Sequence, residues 1–172
     1  MIDLLFRRRS TRKFQEKKVE DWQIKKLLTA ALLSPSSGGK RPWEFIVVDD
    51  PVLLGLLSEA KPGAKVLKNA PLAIIVTGDK AKSDVWVEDC SIASIFIQLE
   101  AEVLDLGSCW VQVHRRFYTE KVTAGQYIRQ QMIIPERLDI LSIIAIGYKD
   151  VFTPSYTEND LLWEKVPGYQ TK

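Results

Sequence analysis

The sequence predicts a domain in which helices cover a central β-sheet of four or five strands, of either the α+β or the α/β class. Short apolar runs typical of buried strands alternate along the chain with longer segments whose apolar residues recur at helical spacing. The chain has 172 residues, of which 46% are hydrophobic and 27% are charged, values typical of one globular domain. We therefore expect residues 1–172 to form a single domain.

Four short runs rich in β-branched, aliphatic or aromatic residues have the composition of buried strands. The continuous apolar character of these runs indicates burial on both faces of the sheet. The predicted strands are residues 45–48, 71–77, 109–113 and 140–147.

Four segments between these strands predict helices, namely residues 21–33, 52–60, 84–106 and 123–132. The third lacks Gly and Pro and is apolar on most sides, which predicts a central helix buried nearly all round. Gly107 follows it and is expected to end it as a left-handed cap. The fourth opens with Thr-x-x-Gln, the spacing of a capping box.

The polar segment 149–172 contains an apolar patch at Leu161, Leu162 and Trp163. Such a patch is expected to dock on another surface. A second subunit is the surface that we favour.

Composition argues against a membrane or secreted protein. The longest apolar stretch, residues 92–104, contains Gln98, Glu100 and Glu102, so no membrane span is predicted. The amino-terminal arginines follow the apolar residues 1–6, which is the wrong order for a secretory signal. A cytoplasmic location is the resulting expectation.

Few side chains suit conventional catalysis. The sequence lacks the GxGxxG, P-loop, HExxH and serine nucleophile-elbow motifs. His114 is the sole histidine, so a multi-histidine metal site is excluded, and a loop or surface position is favoured over a catalytic role. Cys90 and Cys109 lie in apolar segments and are interpreted as buried, inert thiols. An enzyme with these groups needs a cofactor to supply its chemistry.

A basic segment near the amino terminus is suited to a phosphate. Arg8 and Arg12 are four residues apart, so a helical or turned backbone could bring both guanidinium groups to one anion, with the Ser10 hydroxyl between them. The alternatives are a solvent-exposed basic arm and a nucleic-acid contact. The net charge is only +2 and no basic face continues along the chain, which favours a local phosphate over nucleic acid.

The segment 34–45 joins a loop of small residues to a predicted strand. Its Pro-Ser-Ser-Gly-Gly run would let backbone amides approach a flat ligand closely. The alternative is that this run only terminates the preceding helix. Trp43, at the start of the strand, is expected to fill the core.

Taken in order, these motifs resemble the nitroreductase family. Residues 8–12 resemble its phosphate motif and residues 34–45 its flavin-edge loop. Residues 70–76 resemble its second strand, and residues 105–111 are similar to the segment that lies along the flavin ring. Residues 162–166 resemble a carboxy-terminal signature of its short, single-domain branch.

The resemblance implies an α+β sandwich with a mostly antiparallel sheet of four to five strands, in an intertwined homodimer with FMN at the subunit interface. It implies an oxidoreductase that takes hydride from NADH or NADPH and passes it to a nitroaromatic, quinone or similar acceptor by a ping-pong mechanism. The segment 149–172 would dock on the partner subunit. No side chain would be a catalytic acid or base, because the chemistry would take place on the flavin. No metal, nucleic acid or membrane is implied.

The resemblance also assigns the cofactor contacts to three groups of residues. The first would hold the phosphate and ribityl chain, the second would come from the partner subunit, and the third would present its backbone to the ring. These groups are Arg8, Arg9, Ser10 and Arg12; then Pro35, Ser36 and Ser37; then Trp110, Val111, Gln112 and Val113.

The sequence departs from the family at two positions. Gly39 stands where the family usually has an asparagine that reaches the flavin, and Lys149 replaces a proline after residues 146–148. Lys40 or Arg41 would compensate by placing positive charge near the ring. These departures keep open a protein of the same fold that binds flavin or another small ligand without efficient turnover.

Overall fold

Four strands form one antiparallel sheet in the computed structural model, which describes residues 1–168. The order across the sheet is β1-β2-β4-β3, and each neighbouring pair is antiparallel. The expectation of a mostly antiparallel, α+β sheet is confirmed, and the α/β alternative is wrong. The strands are β1 (Trp43–Val48), β2 (Leu72–Asp79), β3 (Leu106–Gln112) and β4 (Leu138–Tyr148).

Five α-helices accompany the sheet, and four of them match the predicted helical segments. The capping box at the start of the last helix is present, with Thr123 accepting from the Gln126 backbone N–H. The first helix was not predicted, because six residues are too few to show a helical period. The helices are α1 (Ile2–Arg7), α2 (Asp21–Leu32), α3 (Pro51–Leu57), α4 (Trp86–Val103) and α5 (Ala124–Gln131).

Helices cover both faces of the sheet, so the two central strands are buried on each side. Ile74 of β2 pairs with Ile144 of β4, and both pack in the core beneath α2 and α4. The next pair, Ile75 with Ile143, lies in the core formed with α3 and α5. Successive strand residues face opposite sides of a sheet, which explains the continuous apolar runs in the sequence.

Helix α4 is buried on one side only. Its inward stripe, which includes Ala93 and Ile97, is fully buried by its own chain. Its other stripe contains Ile95, which is 37% exposed, and Val103, which is 55% exposed. The prediction of a helix buried nearly all round is therefore wrong for this chain alone. The apolar composition of a helix indicates that its surface should be buried, but it does not identify what buries each face.

Gly107 lies inside β3 and is not a helix cap. The left-handed residue after α4 is Asp105, at φ 56°. Gly107 pairs with Gly147 of β4, and a Cβ there would lie 2.6 Å from Thr11 Cγ2. The position needs glycine because the side chain of Thr11 packs directly onto the strand, and this reason cannot be read from local sequence.

Replacing Gly107 with alanine should lower the free energy of unfolding by about 1–3 kcal/mol, because the new methyl group would overlap Thr11. The matched control is Gly125→Ala in α5, where an added Cβ has no heavy atom within 4 Å. This control should be neutral or stabilising by about 0.5–1 kcal/mol through helix propensity. Urea unfolding of both variants tests the contact, and equal stability of the two would contradict it.

Candidate cofactor site

The segment of residues 8–14 meets the outer edge of β3 at Ser10 and Thr11, and then bridges from Phe14 to Lys149 just after β4. Helix α1 ends at Arg7, and Arg8 already has extended backbone angles, φ −61° and ψ 116°. Ser10 forms a parallel bridge with Ser108, and the Thr11 N–H donates to the Ser108 carbonyl at 2.9 Å. The helical or turned backbone expected for this segment is therefore wrong, since pairing with β3 holds the chain extended.

This segment forms one wall of a basic recess of about 240 Å³. Its hydroxyl groups and cations are donors that suit a phosphate oxygen, and none of the residues that line the recess is acidic. The recess is lined by Ser10, Thr11, Arg12 and Lys13, and on its other side by Val151 and Thr153.

The segment after β4, residues 149–168 in the described chain, supplies that second wall. The Asp150 N–H donates to the Lys13 carbonyl at 3.2 Å, and the Tyr156 N–H donates to the Phe6 carbonyl at 2.9 Å. Arg9 donates to the Pro154 carbonyl, and its guanidinium lies 4.1 Å from the centre of the Tyr156 ring. Arg9 therefore holds this carboxy-terminal arm on its own chain. The remaining residues of the predicted arm, 169–172, lie outside the described residues.

Lys149 has a structural partner. Its Nζ lies 2.8 Å from both carboxylate oxygens of Glu102, whose side chain is only 6% exposed. Its carbonyl accepts from the Gln15 side chain at 2.8 Å, and its backbone bridges to Phe14. The residue that departs from the family pattern thus fastens the extended segment to β4 and α4.

The loop that precedes β1 is a tight turn of left-handed residues. Gly38 and Gly39 have φ of 56° and 67°, and Arg41 has φ of 46°. The Ser36 hydroxyl accepts from the Arg41 N–H at 2.8 Å and closes the turn. Glycine and asparagine are the residues that best tolerate this conformation, so Gly39 keeps the backbone shape while losing a side-chain amide.

Two side chains of the helix α4 region meet this loop. The Ser37 N–H donates to Asp89 Oδ1 at 2.7 Å, and Lys40 Nζ lies 3.5 Å from Asp84. Asp89 is buried, whereas the Lys40–Asp84 pair is exposed. Trp43 is buried and stacks on Phe45, which confirms its expected place in the core.

The end of β3 offers backbone to a ligand. β3 is an edge strand, and beyond Ser108 its outer edge has no strand partner within residues 1–168. Val111 and Val113 are buried in the core, and the Val113 N–H and carbonyl already bond to Leu141 and Arg116. The backbone groups that point outward along this edge are therefore those of Trp110 and Gln112. Trp110 donates to Gln112 Oε1 at 2.8 Å, and the Gln112 amide donates to the His114 carbonyl at 3.1 Å, so these side chains brace each other.

The structure brings residues 8–13 to the start of β3 but leaves the loop of residues 34–41 at the opposite corner of the sheet. The loop leads into β1 at the far edge of the sheet, and the first residue of β1 aligns through β2 with Asp139 of β4. On the other side of the sheet, Ser108 of β3 pairs with Ile146 of β4. Three strand spacings and seven residues along β4 separate the two corners by roughly 25 Å. One chain therefore does not assemble the two predicted groups into one pocket.

Sequence reasoning missed three residues of this region: Asp89, Glu102 and Thr153. The first two are acids on the mostly apolar helix α4, which also carries Glu88 and Glu100, and buried acids require partners. The composition of the helix does not show which of its acids are buried. The partners lie 52 and 47 residues away in the chain. Thr153 lies in the arm, whose path along residues 6–14 no local pattern indicates.

Three titratable groups, Cys90, Cys109 and His114, have pKa values shifted toward their neutral forms. Burial raises the pKa of Cys90 to about 12, and it also raises the pKa of Cys109, against the opposing charge of Arg12. Burial and the charge of Arg115 lower the pKa of His114, which packs edge-on against Trp86. The prediction of buried thiols is confirmed for both cysteines.

No helix among residues 1–168 is long and apolar enough to cross a membrane. Within the same residues, no cluster of three or more His, Cys, Asp or Glu side chains is arranged to hold a metal ion.

Comparison with known proteins identifies the family. The model of the nitroreductase family matches residues 5–61 and 54–148, and the chain therefore belongs to the nitroreductase family. A protein of Archaeoglobus fulgidus with the provisional name NADH dehydrogenase/NAD(P)H nitroreductase is 38% identical over 151 residues, which are 86% of this chain and 84% of that protein.

Solved structures agree with this assignment. An FMN-dependent nitroreductase from Clostridium difficile R20291 is 48% identical, with a TM-score of 0.94 and 96% of each chain covered. A protein from Clostridium acetobutylicum with the provisional name NADH oxidase is 31% identical, with a TM-score of 0.88, and covers 98% of this chain and 100% of its own.

The raised thiol pKa values give a test by alkylation. In native protein at pH 8, about one Cys90 in 10⁴ would be a thiolate, so iodoacetamide should leave both cysteines unmodified by mass spectrometry. Labelling of Cys90 should increase only as the pH approaches 12. Protein unfolded in urea is the control and should react at both residues at pH 8. Rapid labelling of either thiol in the native protein would contradict their burial.

Proposed function

We propose that the protein is an FMN-dependent oxidoreductase that takes hydride from NADH or NADPH and passes it to a small acceptor such as a nitroaromatic or quinone, in a ping-pong sequence. The observation that carries the proposal is the basic recess at residues 10–13 beside the open edge of β3, in a chain of the nitroreductase family. The 48% identical relative named as FMN-dependent supports it. Consumption of NAD(P)H would place the reaction in the cytoplasm.

The recess fits the phosphate end of FMN. Ser10 and Arg12 line it and would donate to the phosphate. Arg8, which follows the end of α1, would add positive charge nearby. Arg9 retains further N–H donors besides the one that holds Pro154. Each charged hydrogen bond contributes roughly 1.5–3 kcal/mol, so one arginine changes the FMN affinity by about tenfold or more.

The free edge of β3 fits the ring of FMN. The strand is fixed by pairing with β4 and by the Trp110–Gln112 hydrogen bond, so the outward backbone groups of Trp110 and Gln112 would meet a planar ligand without rearrangement. When bound, FMN would supply the hydride-accepting group that the side chains lack. The chain itself would orient the ring and exclude water, and no side chain would act as a general base.

The proposed active form is a homodimer with FMN in the interface. The loop of residues 34–41 and the recess lie at opposite corners of one chain, so a two-fold axis would place each loop on the partner's recess. A second observation that supports a dimer is the partly exposed outward stripe of α4. This stripe comprises Ile92, Ile95, Phe96, Leu99 and Val103. Exposed apolar faces of this kind mark interfaces between chains.

Other parts of the chain would complete this dimer. Pro35, Ser36, Ser37, Gly39 and Arg41 would approach the ring from the partner, with Lys40 and Arg41 as the nearby positive charges. The arm also retains exposed apolar residues, among them Leu162 and Trp163, that the partner would cover.

The test is an anaerobic titration of purified protein loaded with FMN. NADH or NADPH should remove the flavin absorbance near 450 nm, and a quinone added after the nicotinamide is exhausted should restore it. Steady-state rates should give parallel double-reciprocal lines, because the first product would leave before the acceptor binds. Free FMN at the same concentration is the control and should react far more slowly.

Two failures have different meanings. Flavin that binds but is not reduced would contradict the activity and support a flavin-binding protein without turnover. Protein that sediments as a monomer and does not bind FMN would contradict the proposal as a whole.

A further inference from the structure

Asp89 is a buried carboxylate that ties the loop of residues 34–41 to helix α4. It is only 2% exposed and lies in the first turn of the helix. Its Oδ1 accepts from the Ser37 backbone N–H at 2.7 Å, and its Oδ2 accepts from the Ser83 hydroxyl at 3.0 Å. Both oxygens therefore have donors, as a buried carboxylate requires.

The loop has few other fixed points. Its turn passes through Gly38, Gly39 and Arg41, all with positive φ, and such a turn needs surrounding contacts to keep its shape. The Lys40–Asp84 pair is at 3.5 Å, and the Asp84 side chain is 87% exposed, so this pair holds the loop weakly. The Ser37–Asp89 bond is shorter, partly buried and charge-assisted, and it is the stronger attachment.

We propose that Asp89 is a positioning residue for the cofactor site. It would fix Ser37 and the following turn in the shape that meets the FMN held by the partner chain, without touching FMN itself. This inference rests on the proposed function, because it assigns a purpose to the shape of the loop. Asp89 also lies three residues before Ile92, where the outward stripe of α4 begins, so the loop and that stripe belong to one rigid unit.

The test compares FMN affinity among variants of the full-length protein. Asp89→Ala removes the acceptor for Ser37 and should weaken FMN binding by roughly tenfold to a hundredfold. Asp89→Asn retains an oxygen for Ser37 and offers an N–H to the Ser83 oxygen, so it should restore the affinity to within about threefold of the original. Asp84→Ala is the matched control, since it removes only the exposed pair with Lys40, leaves both hydrogen bonds of Asp89 in place and should bind normally.

Ser37→Pro tests the same bond from the other side. It removes the N–H donor together with the hydroxyl, so Ser37→Ala, which removes the hydroxyl alone, is its control. The position suits proline because it is the first of a short helical turn whose preceding residue is already extended, at φ −143° and ψ 155°. The loss of affinity should match that of Asp89→Ala, and the double variant should be no worse than either single one. This variant keeps the proposal testable if Asp89→Ala does not fold.

A second readout does not need flavin. Amide hydrogen exchange of residues 37–41 should be faster in Asp89→Ala than in the original protein, and normal again in Asp89→Asn.

The absorbance spectrum of bound flavin is a third readout. It should change in Asp89→Ala, since the polar surroundings of the ring would differ.

The outcomes separate this inference from the proposed function. Original protein that binds FMN, together with Asp89→Ala of equal affinity and equal exchange, would overturn the role of Asp89 alone. An Asp89→Asn variant as weak as Asp89→Ala would also overturn it, because charge and not hydrogen bonding would then be decisive. Original protein that does not bind FMN would overturn both proposals.

Discussion

The close approach of residues 11–14 to the β3–β4 pair is the contact on which the site depends. Gly107 and Gly147 face each other across these strands, and each lacks the side chain that would keep another segment away. A Cβ at Gly147 would lie 2.5 Å from Pro71 Cδ and 3.0 Å from Phe14 Cδ1. The paired glycines therefore let an extended segment lie against the edge of the sheet, and the basic residues of that segment take their positions from it.

Some charged side chains around this contact form bonds within the fold, and others remain exposed and available to a ligand. Lys149 and Glu102 form a close, largely buried ion pair that joins β4 to α4, and Arg9 holds the arm through Pro154 and Tyr156. Removing one member of such a buried pair costs several kcal/mol, so Lys149 is tied to the fold. Arg12 and Lys13 are exposed and face a recess without acidic residues. The cations that face the recess are thus those that the fold does not require.

Local sequence predicted the elements well and the contacts between them poorly. The Thr123–Gln126 capping box and the apolar strand runs depend on neighbours in the chain, and both were found. Gly107 was misassigned because its reason is a contact with Thr11, nearly a hundred residues away. Helix α4 was recognised as apolar, but its amino-acid pattern does not say that its own chain leaves one face partly exposed. The candidate site follows the same division: its basic segment and loop carry local patterns, whereas the contact of Asp89 with Ser37 joins residues far apart in the chain.

If each flavin site is completed by two chains, as proposed, a mixed dimer should separate the contributions of the two chains. One chain carries Arg12→Ala, which damages the recess, and the other carries Ser37→Trp, which blocks the loop; two different affinity tags isolate the heterodimer. Each variant alone should retain little FMN. In a shared site, the heterodimer combines both defects in one site and leaves the other intact, so it should bind about one FMN per dimer. A heterodimer as empty as its two parents would contradict the account, because each site would then lie within a single chain.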